Sequence, residues 1–142
     1  MSHKDILAQL KRVHFFEDLK RGELNAVVHL VNRRHFKEGE IVCEQGRLGH
    51  SMYVVESGEL TVHHVDSQGV EHQVGVLNSG DYFGETSLLL GEPRDATVRA
   101  AQDTTLLHIS RDDFQPLLDE QPSLLDHLNT VSYTHLTLPT KR

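Results

Sequence analysis

One glycine, one glutamate and one arginine between positions 80 and 100 are spaced to bind an anion. Gly84 precedes a short segment, 85–90, which shows no strand-like alternation and is predicted to be helical. The N-terminus of a helix presents unpaired N–H groups and a partial positive charge. Arg94 lies ten residues after Gly84, beyond a turn predicted at 91–93 that folds the chain back. The N–H groups and the forked guanidinium would then face one phosphate together.

The carboxylate of Glu85 restricts the kind of anion that fits. A carboxylate repels a phosphate, so Glu85 suits only a ligand that also offers a donor, such as a sugar hydroxyl. A phosphate, a hydroxyl and a compact site together indicate a nucleotide. Simpler interpretations stay open: Glu85 could only favour the helix dipole, and Gly84 could be a plain turn glycine. Arg94 could be a surface residue paired with Glu92 or Asp95.

The same stretch resembles the phosphate-binding cassette of the cyclic-nucleotide-binding domains. Those domains occur in catabolite-activator-type transcription factors, in regulatory subunits of cyclic-nucleotide-dependent kinases, and in cyclic-nucleotide-gated channels. The matching residues are Phe83-Gly84-Glu85, Leu88-Leu89, Pro93-Arg94 and Ala96-Thr97-Val98. The resemblance covers about residues 5–128 and extends back through Gly39-Glu40, Gly46, Tyr53-Val54 and Gly58.

The resemblance implies a role for each residue of the cassette. Glu85 is expected to accept a hydrogen bond from the ribose 2′-hydroxyl, and Arg94 to pair with the cyclic phosphate. The backbone N–H groups of Gly84, Ser87 and Asp95 are expected to help hold that phosphate. The expected ligand is cAMP or cGMP, and the expected function is that of a regulatory sensor that transmits an allosteric signal, without catalytic or metal-binding residues.

Asp95 departs from the family pattern, which often has a small or hydroxyl residue after the arginine. A carboxylate next to a phosphate costs affinity unless it turns away or meets a donor. It could accept hydrogen bonds from guanine N1–H and N2–H, which predicts a preference for cyclic GMP. Alternatively, Asp95 points to solvent or pairs with Arg99. Asp95 also favours a second hypothesis, a domain of the same fold that binds no ligand and acts in assembly.

The pattern outside the cassette predicts a mainly β fold with flanking helices, an antiparallel double-sheet β roll of jelly-roll type. Frequent glycines after Arg33 separate short strands, which are predicted at 33–36, 41–44, 52–56, 60–65, 71–77, 97–101 and 105–110. Ser57-Gly58 and the turn at 67–69 are predicted to join antiparallel neighbours.

Helices are predicted before and after the strands. Apolar spacing indicates a helix around Ile6 to Leu10 and another over 20–30, with Asp18 as its N-cap. Ser110 is predicted to cap a helix over 111–118, and Pro122 to begin another over 123–128. The predicted divisions are N-terminal helices at 1–32, the β roll at 33–110 with the cassette at 80–100, and truncated C-terminal lid helices at 111–130.

The final segment, 131–142, breaks the helical pattern and contains no acidic residue. It resembles translated sequencing-adapter sequence and is expected to be non-native. The natural protein is then expected to be longer, with an output domain missing from this chain. The sensor half of a bacterial transcription regulator is one such protein, and it could form a homodimer through its C-terminal helix.

Composition narrows the function classes. The net charge of −7 argues against nucleic-acid binding by this segment, and the longest aliphatic run, 88–90, is too short to span a membrane. We therefore expect a cytoplasmic protein. The single cysteine, Cys43, is predicted to be a buried, inert thiol. The eleven histidines are not spaced as metal ligands, which disfavours a cupin-type metal enzyme on a similar barrel.

Overall fold

The computed structural model describes residues 3–128 as two four-stranded antiparallel sheets flanked by helices. The strands are β1 (Asn32–Phe36), β2 (Ile41–Cys43), β3 (Ser51–Ser57), β4 (Glu59–Val65), β5 (Glu71–Asn78), β6 (Tyr82–Phe83), β7 (Thr97–Ala100) and β8 (Thr104–Ser110). The helices are α1 (His3–Lys11), α2 (Arg21–Val28), α3 (Glu85–Leu89), α4 (Arg111–Glu120) and α5 (Ser123–His127), with a 3₁₀ turn at His14–Phe16. The predicted fold class is confirmed. The predicted tail at 131–142 and the last residues of the predicted lid, 129 and 130, lie outside the described residues.

The cassette connects the two sheets, because its strand β6 lies in one sheet and its strand β7 lies in the other. One sheet has the order β1-β8-β3-β6 and the other the order β2-β7-β4-β5. The two-residue strand β6 was not predicted, because it is too short to show an alternating pattern. It pairs with β3, and only Gly84 separates it from the start of α3.

The turn at Ser57-Gly58 corrects one prediction from the sequence. It joins β3 to β4, which lie in different sheets and do not pair. Gly58 has a φ of 106°, and a Cβ there would lie 2.7 Å from Cα of Thr104, so the crossing needs glycine. The turn at 67–69 does join antiparallel partners, β4 and β5, as predicted.

The core has two parts, one on each face of the first sheet. Successive residues of a strand point to opposite faces. In β8, Leu106 therefore packs between the sheets with Val55 and Leu60, whereas Leu107 packs under the helices. The helical side is built around Phe15, Phe16, Leu24, Val27, Met52, Ile109, Phe114 and Leu124. This arrangement attaches the flanking helices to the same strands that carry the cassette.

The helix starts confirm one predicted cap and correct another. Ser110 caps α4, since its hydroxyl accepts a hydrogen bond from the N–H of Asp113 at 3.1 Å. Asp18 does not cap α2, which begins two residues later than that position allows. Its N-cap residue is Lys20, whose N–H donates to Oε1 of Glu23 at 2.8 Å. The carboxylate that satisfies the helix start therefore comes from inside the helix.

Glu23 in α2 also contacts His127 in α5, and this contact predicts that the stability of the fold depends on pH. Burial by itself raises the pKa of the Glu23 carboxyl, but hydrogen bonds from the Lys20 N–H and from Nδ1 of His127, at 2.7 Å, bring it below its ordinary value of 4.5. A carboxyl group whose pKa is lower in the folded protein than in the unfolded chain stabilises the fold above pH 4.5. This stabilisation is lost as the pH falls through the pKa of the folded protein.

We expect Glu23→Gln to lower the free energy of unfolding by about 1 kcal/mol at neutral pH. The carboxylate uses both oxygens as acceptors, one for Lys20 and one for His127, whereas the uncharged amide has a single acceptor oxygen. The difference from the parent protein should shrink in acid. Urea unfolding of both proteins at neutral and acidic pH measures it. An equal difference at both pH values would contradict the linkage.

Candidate functional site

Two loops pair through their backbones and fix the position of Arg94. One loop connects β2 to β3, and the other follows α3. The N–H of Arg94 donates to the Arg47 carbonyl at 2.8 Å, and the Arg94 carbonyl accepts from the N–H of Gly46 at 2.7 Å. The N–H of Gly49 donates to the Glu92 carbonyl at 3.1 Å. The chain is thus folded back at 91–93, and both the N–H and the carbonyl group of Arg94 are hydrogen-bonded to the loop between β2 and β3.

The guanidinium of Arg94 lies against two glycines. Its Nη2 donates to the carbonyl oxygen of Ser51 at 2.8 Å. A Cβ on Gly84 would overlap Nη1 and lie 2.7 Å from the same Ser51 oxygen. A Cβ on Gly49 would overlap both Nε of Arg94 and Oγ of Ser87. Both glycines are therefore required by the close approach of the guanidinium, and Gly84 also has a φ of 84°.

Helix α3 begins beside this guanidinium and contains Glu85 and Ser87. Gly84 is the N-cap residue, Glu85 is the first helical residue, and both Glu85 and Ser87 are buried. The N–H of Ser87 donates to the Gly84 carbonyl at 3.0 Å, so its hydroxyl is the group that lies beside the guanidinium. The first N–H groups of a helix have no acceptor within it. The donors offered by α3 therefore belong to Glu85 and Thr86, and Thr86 was not among the predicted residues.

Asp95 lies at the rim of this arrangement. Its side chain is exposed, and its carbonyl oxygen is 2.9 Å from Nδ1 of His64 in β4. Within residues 3–128, the ion pair of Arg99 is with Glu71, at 3.8 Å. The predicted pairing of Asp95 with Arg99 is therefore wrong. The carboxylate of Asp95 is exposed to solvent, which was the other alternative.

A cavity of about 460 Å³ opens beside Arg94. Its apolar wall includes Ile41, Val42, Leu48 and Tyr53, and its polar wall includes Ser51. The ring of Tyr53 is stacked on that of Phe83, with centroids 5.0 Å apart. Sites for small molecules have this size and this mixture of an apolar wall with a few polar groups. Arg94 is the cassette residue that lines this space, which is large enough for a nucleotide.

Cys43 corrects a further prediction. It is half-buried rather than buried, and it forms part of the cavity wall. Burial raises the pKa of its thiol, although Arg94 acts in the opposite direction. The thiol is therefore protonated at neutral pH, and a thiol is far less reactive than a thiolate.

Metal-binding clusters and membrane-spanning helices are absent from the part of the chain that the structure describes. No group of three or more His, Cys, Asp or Glu residues within 3–128 is arranged to hold a metal ion. No helix in this part of the chain is long and apolar enough to cross a membrane.

Comparison with known proteins identifies the family. Residues 33–121 match the cyclic nucleotide-binding domain, and the chain belongs to that family. The family predicted from the cassette motif is confirmed. The cAMP-dependent protein kinase regulatory subunit of Blastocladiella emersonii is 30% identical over 126 residues, which are 89% of this chain and 31% of that protein. The chain thus spans less than a third of the length of that relative.

Solved structures agree with the fold and the family. The N-terminal domain of a transcriptional regulator from Streptomyces coelicolor A3(2) superposes with a TM-score of 0.79 at 26% identity, over 91% of this chain and 92% of that one. The regulatory domain of Toxoplasma gondii PKA, crystallised with cAMP, superposes with a TM-score of 0.75 at 28% identity, over 87% of this chain and 47% of that one.

Proposed function

We propose that this domain binds a cyclic nucleotide, cAMP or cGMP, in the cavity beside Arg94. The observation that carries the proposal is the position of the Arg94 guanidinium, held at the N-cap of α3 on the wall of that cavity. The guanidinium and the N–H groups at the start of α3 bind the cyclic phosphate. Glu85 accepts a hydrogen bond from the ribose 2′-hydroxyl, and the apolar wall receives the base.

Arg94 is preorganised for this role. A guanidinium has five N–H donors, and the hydrogen bond to the Ser51 carbonyl uses one of them. The remaining donors can bind a phosphate while that hydrogen bond keeps the side chain in place. A side chain that is already ordered loses less entropy on binding, which favours affinity. The relative crystallised with cAMP supports the choice of ligand.

We also propose that binding is transmitted to α4. Two adjacent carbonyl groups lie between the arginine and that helix: Ser51 accepts from Arg94, and His50 accepts from the N–H of Arg111 at 2.7 Å. The guanidinium of Arg111 lies against Gly91, directly after α3. A ligand that moves Arg94 or α3 would therefore bias the position of α4. The regulatory names of the relatives support such a switch, and a homodimer through the C-terminal helix is part of the proposal.

The experiment that tests the proposal is calorimetric titration of the purified protein with cAMP and, separately, with cGMP. We expect saturable binding of at least one nucleotide, with one site per chain. A folded protein that binds neither would contradict the proposal and would favour the alternative of an assembly domain that uses the same fold without a ligand.

Asp95→Ala tests the preference for the base. If the exposed carboxylate turns toward a bound guanine, its removal should raise the ratio of the Kd for cGMP to the Kd for cAMP by about tenfold, the effect of losing hydrogen bonds to a charged acceptor. Asp112→Ala, which removes an exposed aspartate from α4, is the matched control. An unchanged ratio for Asp95→Ala would exclude guanine recognition by this residue.

A further inference from the structure

A buried histidine is hydrogen-bonded to a serine of the cavity wall. His108 in β8 is 5% exposed, and its Nε2 lies 2.8 Å from Oγ of Ser51. Ser51 is the first residue of β3 and lines the cavity. Its carbonyl oxygen is the acceptor for Nη2 of Arg94. One residue thus contacts both the buried histidine and the arginine expected to bind phosphate.

The other ring nitrogen of His108 decides which way the hydrogen bond to Ser51 runs. Nδ1 is buried and has no hydrogen-bond partner within residues 3–128. Buried N–H donors without an acceptor are rarer in proteins than acceptors left without a donor. The proton of neutral His108 therefore belongs on Nε2, which donates to Oγ of Ser51 and leaves only a lone pair unsatisfied. Burial, together with the charge of Arg34, lowers the pKa of His108 and agrees with a neutral ring.

If Nε2 of His108 is the donor, the hydroxyl proton of Ser51 is not used in the hydrogen bond to His108. Oγ accepts from His108, so the O–H must point elsewhere, and Ser51 borders the cavity. We infer that the Ser51 hydroxyl is a further ligand-binding group, which donates to an anionic oxygen of the bound nucleotide, and that His108 is the positioning residue that aims it. The inference rests on the proposed function, because it assumes that the nucleotide occupies this cavity.

A purely structural role for His108 would have a different signature. His108 also packs against the Tyr53 ring, with centroids 5.2 Å apart, and could serve only as a core residue. An apolar replacement removes the unsatisfied nitrogen, so it can be neutral or stabilising for the fold. The inference predicts that the same replacement weakens ligand binding. A loss of affinity without a loss of stability separates the two roles.

The test combines single and double variants with calorimetric titration of cAMP and cGMP. We expect Ser51→Ala and His108→Leu each to weaken binding of the preferred nucleotide about tenfold, the effect of one hydrogen bond to a charged group. The double variant should be no weaker than either single variant, because both remove the same interaction. Ser51→Thr, which keeps the hydroxyl, and His108→Gln, which keeps a donor, should bind nearly as the parent protein does.

The outcomes separate this inference from the proposed function. If the parent protein binds neither nucleotide, the proposed function fails and this inference with it. If the parent protein binds but the single variants bind equally well, or the two losses add, only the inference is overturned. The nitrogen NMR shifts of the His108 ring, measured on the parent protein, give a test that needs no variant. They should report a neutral ring protonated on Nε2, and protonation on Nδ1 would contradict the inference.

Discussion

Arg94→Ala is expected to reduce the affinity for the preferred cyclic nucleotide by about a hundredfold or more, with the fold intact. The variant removes a charge-assisted, two-point contact to the phosphate, and such contacts are worth several times a neutral hydrogen bond. The cost to stability should be small, because the Ser51 carbonyl that loses its donor borders the open cavity and can be hydrated. Calorimetric titration gives the affinity, and thermal unfolding checks the fold.

Two further arginine variants test whether binding depends on the position of Arg94 and on its forked guanidinium group. Arg47→Ala removes an exposed arginine that lines the same cavity and pairs with Glu44 at 3.3 Å. We expect it to change the affinity by less than about threefold, since exposed ion pairs contribute little. Arg94→Lys keeps the charge but loses the planar fork, and an intermediate loss is expected. If Arg94→Ala bound nearly as the parent protein does, the role assigned to this residue would be wrong.

The cassette could be predicted from the sequence because its parts are close together along the chain. The glycine, the helix start, the turn and the arginine all lie between Gly84 and Arg94, so local signals place them in one site. Every strand except β6 could be predicted for the same reason, since alternation and glycine turns are local. The sheet to which a strand belongs is not local. Ser57-Gly58 has the residues of a hairpin turn, yet β3 pairs with β8 and β4 pairs with β5 and β7.

The residues that surround Arg94 show the same limit. Ser51 is 43 residues from Arg94 and 57 residues from His108, and no short pattern relates these positions. Gly49 stands in an ordinary loop, and only the folded chain reveals that the guanidinium lies against it. The prediction that Asp18 caps α2 was wrong for a related reason. Asp18 has the right residue type at nearly the right position, but Glu23 supplies the acceptor from within α2.

Gly49→Ala is the second substitution for which we expect a large effect on binding. Gly49 is buried, and its φ lies outside the left-handed region, so its backbone can accommodate alanine without strain. The new methyl group would overlap Oγ of Ser87 and Nε of Arg94, and would lie 2.7 Å from Cζ of Arg94. The guanidinium is the end of a flexible side chain, so it is the group most easily displaced. Displacement removes it from the N-cap of α3.

We therefore expect Gly49→Ala to weaken nucleotide binding by roughly tenfold to a hundredfold, with a loss of stability of about 1–2 kcal/mol from crowding. Gly75→Ala is the matched control, because a Cβ there would meet its nearest neighbour, Cβ of Val62, at an ordinary 3.8 Å. It should leave the affinity unchanged. In the double variant Gly49→Ala/Arg94→Ala, the glycine substitution should cost no further affinity, because the displaced group is already absent. A further loss in the double variant would show that alanine at position 49 disturbs binding by a route other than the arginine.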